Sequence, residues 1–151
     1  MKHTVILFFS IFFIFITKIN AQPPTIPIKW QKSFGSSMNE SSYSIKQTND
    51  GGYIVGANTG EINDGDVTNY HGGGSDFWVI KLDSIGHLIW QKALGGSRFD
   101  LLEAIEQTSD SGYIAVGYSN SNDGDVSGHH GSTNRGDVWL VKISSIRQLQ
   151  W

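Results

Sequence analysis

SDFWVIKLDSIGHLIWQKALGG, from Ser75 to Gly96, decides how the rest of the chain is read. Both of its halves recur. Trp90-Gln91-Lys92 also stands at Trp30-Gln31-Lys32. The run from Asp76 to Leu82, DFWVIKL, returns as DVWLVKI from Asp137 to Ile143. One copy therefore runs over 30–89 and the next over 90–150, a period of about sixty residues. Trp151 stands where a third copy would start.

Each copy reads as four short strands. The first is Ile28 to Phe34, matched by Leu88 to Leu94, and Gly35 and Gly95 end them. The second is Tyr43 to Thr48, matched by Glu103 to Thr108. Taken alone, Phe99 to Gln107 (FDLLEAIEQ) suits a helix, because Leu, Glu and Ala favour one. Its counterpart SSYSIKQ is a poor helix former, and one repeat should have one structure, so both are read as strands. A tight turn follows in each copy, at Asn49-Asp50-Gly51-Gly52 and Ser109-Asp110-Ser111-Gly112. The third strand is Tyr53 to Ala57, matched by Tyr113 to Tyr118. A long polar loop then leads to the fourth strand, the Trp-bearing run.

Side chains alternate across a strand. Trp78, Ile80 and Leu82 share one face of the fourth strand, and Phe77 and Val79 share the other. Trp139, Val141 and Ile143 match the first face; Val138 and Leu140 match the second. Both faces are apolar, so both are expected to be covered. A four-stranded sheet covered on both faces and recurring at a fixed period describes a propeller blade. A stacked solenoid and a two-sheet sandwich also cover both faces. The fold expected is all-β: two tandem four-stranded antiparallel blades of an incomplete β-propeller. Repeat folds generally need about three or more units, and copy two loses the Asp and the turn Gly of Asp83-Ser84-Ile85-Gly86, which becomes Ser144-Ser145-Ile146-Arg147. The expectation is a fragment, a truncated product, or a piece that assembles with other blades.

Residues 1–21 read as a secretory signal peptide. Lys2 and His3 precede an apolar run of 12 residues, Val5 to Ile16, and Ala21 is a small residue at the cleavage position. An uncleaved anchor is the rival, but spanning a bilayer takes ~20 apolar residues. After cleavage no membrane span is expected, and a leader at 22–29 with Pro23, Pro24 and Pro27 leads into the fold. The formal charge is −3, and loss of Lys2 and Lys18 makes it more negative. Acidic residues then outnumber the Lys and Arg that remain, and no basic cluster is left to follow a phosphate backbone, so no nucleic-acid partner is expected. There is no Cys, hence no disulfide framework.

The pattern now in view comprises Trp90-Gln91-Lys92, Gly95-Gly96-Ser97, Gln107-Thr108 to Asp110, Gly112-Tyr113-Ile114, Asp123-Gly124-Asp125-Val126, then Asp137, Trp139 and Lys142. It resembles the ~60-residue repeats of large secreted or surface bacterial proteins, often exported by the type IX secretion route. The likeness covers Lys29 to Trp151. It implies a propeller-like repeat on a secreted or cell-surface protein, with no known catalytic residues.

The long loops hold the candidate sites. Asn63-Asp64-Gly65-Asp66-Val67 is followed by Asp76, and Asn122-Asp123-Gly124-Asp125-Val126 by Asp137. Ca²⁺ takes several oxygen ligands, so Asp64, Asp66 and Asp76, and Asp123, Asp125 and Asp137, form a candidate ion set. The register of an EF-hand is not met, and Asx turns explain the same residues. His71 and the pair His129-His130 raise transition-metal binding, although neighbouring side chains diverge on extended backbone. Gly72-Gly73-Gly74 lacks the helix start of a phosphate cradle. Tyr70, in a polar loop, is a candidate contact residue. The Trp residues have apolar neighbours and read as core. No nucleophile-elbow pattern is present.

Three functions follow from this reading. The first is a binding or adhesion module for an extracellular glycan or protein. The second is a structural spacer in a larger surface protein. The third is part of an enzyme acting on extracellular polysaccharide. Further blades or a self-associating chain are the expected assembly partners.

Overall fold

The computed structural model describes residues 26–151. The expected signal peptide at 1–21 and the first leader residues, 22–25, lie outside the described residues. Among the described residues there is no helix. Seven strands form two antiparallel sheets, neither closed on itself. The first holds β1 (Ser41–Gln47), β2 (Tyr53–Asn58), β3 (Phe77–Leu82) and β4 (Leu88–Leu94), in that order. The second holds β5 (Asp100–Gln107), β6 (Tyr113–Ser119) and β7 (Asp137–Ile143).

The helix-favouring stretch is β5, paired with β6 from Asp100↔Ser119 to Gln107↔Tyr113. Pairing overrides its local propensity. Its register shifts between Leu102 and Ala104, and β1 shifts likewise between Ser42 and Ser44. The two copies therefore share even a bulge, which leaves Glu103 and Tyr43 unpaired at matching positions.

Two expectations about the strands need correction. Ile28 to Phe34 is not a strand and pairs with none among the described residues. Its counterpart β4 does not begin the second sheet; it pairs along β3, from Phe77↔Leu94 to Leu82↔Leu88, and completes the first. A repeat fixes a period but not a phase, so the sequence copy and the sheet are one strand out of step. The second sheet consequently has three strands where four were expected. Leu149 to Trp151 begin a fourth: Leu149 bridges Ile143, and the Lys142 amide donates to the Trp151 carbonyl at 2.8 Å.

The sheets stack face to face. Ile54, Phe77, Val79 and Leu94 of the first meet Leu102, Ile105, Val141 and Ile143 of the second in one core. The Phe77 and Trp139 rings lie 4.7 Å apart, tilted by 53°. Trp78, Ile80 and Leu82 face the other way, with Val67, Phe34 and Tyr70 against them. Every residue of β3 is therefore buried. The expectation that both faces are covered fails in β7, where Val138 is 77% exposed and Leu140 is also exposed. No third sheet lies on that side among the described residues.

The turn between β3 and β4 survives its loss of sequence. Asp83 accepts from the amides of Ile85 and His87. In copy two the Ser144 hydroxyl accepts from Gln148, and Arg147 takes the left-handed conformation of Gly86, with φ 69° against 81°.

Candidate functional site

The loop that follows β4 and the two long loops, 59–76 and 120–136, gather at one end of the stack. Their shared motif, Asn-Asp-Gly-Asp-Val, is a clamp. In copy one, the Ser37 amide and hydroxyl donate to Asp64 at 2.8 and 2.6 Å, and the Gly35 amide donates to Asp66 at 3.1 Å. In copy two, the Ser97 amide donates to Asp123 at 2.8 Å, and the Gly95 amide reaches Asp125 at 3.4 Å. The Asp66 and Asp125 amides return bonds of 2.8 Å to the carbonyls of Gly35 and Gly95. Val67 and Val126 plug the base, both buried. The central glycines have φ of 57° and 63°, and a Cβ on Gly124 would lie 2.5 Å from the Gly95 carbonyl oxygen. No other residue fits there without strain. Bonds from Ser37 and Ser97 hold Asp64 and Asp123 below the usual carboxylate range.

Each clamp grips the segment before its own sheet: 35–37 precedes β1, and 95–97 precedes β5. The second clamp thereby ties the second sheet's loop to the end of β4 in the first sheet. Asn63 accepts from the Tyr70 amide at 2.7 Å, and Asn122 from the His129 amide at 3.2 Å, so the motif also sets the loop's far limb.

Above the clamp sits a buried acidic pair. Asp76 and Asp100 are both fully buried. A Cβ on Gly95 would lie 2.6 Å from Asp76 Oδ1 and 2.7 Å from Asp100 Oδ2, so both carboxylates converge on that glycine. Asp100 is well served: it accepts from the Ser119 hydroxyl, from the Ser121 hydroxyl at 2.8 Å and from the Gly96 amide at 2.7 Å. Asp76 is not. Its Oδ2 accepts from the His71 amide and meets His71 Nδ1, both at 2.8 Å, while its Oδ1 has no partner. Burial pushes Asp76 up to about 6; the two His71 bonds pull against this, and the Asp100 charge adds to it. His71 Nε2 stands 3.4 Å from Asp125 Oδ2. One imidazole thus bridges the two long loops and joins the two sheets at this end. The arrangement can hold a proton on the buried Asp76 carboxyl and lock two loops together.

The candidate ion set is not assembled into one site. Asp64 and Asp66 grip one turn, Asp123 and Asp125 another, and Asp76 and Asp137 each face a histidine of their own loop. Among the described residues no group of three or more His, Asp or Glu side chains is placed to hold a metal ion. The adjacent histidines diverge as extended backbone requires: the side chain of His129 is 1% exposed and that of His130 92%. Tyr70 is not a free contact residue, since its hydroxyl accepts from the Gly74 amide at 3.1 Å and its ring joins the outer cluster. The glycine run exists for close approach, because a Cβ on Gly73 would strike the Ser97 carbonyl.

Sequence reasoning missed Asp100. Its counterpart is Glu40, which accepts from the Ser36 hydroxyl and the Gly60 amide. An acidic residue where each sheet's first strand starts, Glu40 just before β1 and Asp100 opening β5, shared in charge but not identity between the two copies, was the available signal. Two mainly apolar grooves lie elsewhere among the described residues. One, of about 390 Å³, runs over the Trp78 face between Phe34, Ile45 and Ile80. The other, of about 350 Å³, lies beside β7, lined by Ile114, Val116 and Leu140. No protein-family model and no curated protein matches this chain.

Proposed function

We propose that this chain is a non-catalytic binding or adhesion module of a secreted or cell-surface protein, with its two sheets acting as blades of a propeller-type repeat. The observation that supports this most is the contrast within the long loops. Their bases are clamped by the same motif in both copies, while their tips differ and stay exposed. A rigid scaffold that carries variable loops suits recognition. Copy two offers His130, Asn134 and Arg135 as exposed polar side chains on such a tip. The partner class is an extracellular glycan or protein.

The test is a screen of immobilised glycans and matrix proteins with the wild-type chain and a His130→Ala, Arg135→Ala double variant. The reading expects a ligand retained by the wild type and lost by the variant. A wild-type chain that retains nothing, or a ligand held equally by both, refutes it. The spacer reading draws support from one separate observation: most loop carboxylates are engaged by backbone amides, which stiffens the loops without leaving charges free to bind.

A further inference from the structure

We infer that the chain associates with a second copy of itself, head to tail, by laying the Trp78 face of one molecule on the Val138 face of the next. The junction between the two sheets is the template. There, Ile105 of the second sheet is 2% exposed and packs on the Phe77 face of the first, where Phe77 itself is 0% exposed. Each of these residues has a counterpart at an end of the stack. Ile45 matches Ile105 and is 59% exposed; Val138 matches Phe77 and is exposed. Each molecule therefore carries both halves of a contact it already makes internally, one half at each end.

Two further features repeat the template. The edge of β7 from Val138 to Val141 has no ladder partner among the described residues, whereas β3 has β4 along the same length. Trp151 occupies the place opposite Lys142 that Trp90 occupies opposite Lys81. Gln31 to Phe34 match Gln91 to Leu94, so in a second copy they extend the ladder from Trp151 onward. Trp30 and Trp151 would share one position, so the donated stretch starts at Gln31. Unpaired edges invite such strand addition.

The loop end agrees. His71 reaches across the internal junction to Asp125. Its counterpart His130 contacts Asp137 of its own loop and is otherwise open to solvent. The counterpart of Asp125 is Asp66, which a second copy seated in this way brings to His130. The two surfaces differ, so the contact is heterologous and propagates beyond a dimer, either into a ring or into a chain. This inference stands on the sheet stack and does not depend on the loops having a ligand.

The experiment is sedimentation velocity on the full chain across a concentration series, with Val138→Glu and Ile45→Glu. Both residues are exposed in the single molecule, so thermal melts at low concentration should show both variants folded. The wild type is expected to form oligomers that grow with concentration, and each variant alone to stay monomeric. An equimolar mixture of the two variants keeps one intact surface of each kind and is expected to stop at the dimer. A monomeric wild type overturns the inference. Oligomers that persist in either variant, or a mixture that stays monomeric, overturn it as well.

Discussion

Phe77 and Val138 occupy the same position of the repeat, yet the structure assigns them opposite energetic roles. Phe77 is fully buried between the sheets and lies against the Trp139 ring. Truncation to Ala removes the ring's transfer energy, leaves a cavity and loses the aromatic contact. Such changes cost about 3–5 kcal/mol. A domain of this size loses about 4 °C of melting temperature per kcal/mol, so Phe77→Ala should melt about 12–20 °C lower. Val138→Ala removes two methyls already in water and should change stability by less than about 0.5 kcal/mol. Urea titrations and thermal melts, run at concentrations low enough to keep the chain monomeric, measure both. Equal losses would refute the stacking order, because they would mean that Phe77 and Val138 have equivalent surroundings. A small loss at Phe77 alone would mean that the two sheets do not share a core.

Asp76 gives stability a pH dependence of definite sign. Its folded value, about 6, lies above the ordinary 3.8 because burial disfavours the charge. Its contribution is whole below about 3.8 and is lost as pH rises through about 6, so Asp76→Asn should flatten that decline in unfolding free energy. Asp50 acts oppositely: bonds from Thr48 and Lys81 hold it at about 2, so its contribution is present above 3.8 and is lost as pH falls through that lower value. Gly124→Ala should destabilise by more than about 1 kcal/mol in a urea titration, because φ is positive and a Cβ meets the Gly95 carbonyl. Arg147→Gly should stabilise by about 1 kcal/mol in the same assay by relieving a left-handed arginine. Thermal melts with Ca²⁺ and with chelator should coincide, since a bound ion would raise the midpoint and the loop carboxylates already accept from amides.

Agreement between the two copies made most strands legible but not all: Ile28–Phe34 matches β4 in sequence and is not a strand. Phe99 to Gln107 suits a helix alone and a strand beside SSYSIKQ, and Asp100–Gln107 is a strand. The phase of the sheets was not legible, because a cyclic pattern can be cut at any point and only the β3–β4 ladder shows where the sheet ends. The roles of Asp64 and Asp123 were half legible. Their spacing marks a turn, but their partners, Ser37 and Ser97, lie far back in the chain and depend on the stacking of loops. Asp100 was hidden because burial, not spacing, makes it matter.

The one-strand offset between repeat and sheet sets the rule for splicing this molecule. A unit lifted out at Trp90 would strip the first sheet of its last strand and leave the bare rim of β3 in solvent. The clean seam falls just after Leu94, in the short crossing from Gly95 to Phe99. Duplicating, deleting or grafting whole units at that seam keeps each sheet intact. A break at the sequence boundary would make every unit depend on its neighbour for a missing piece.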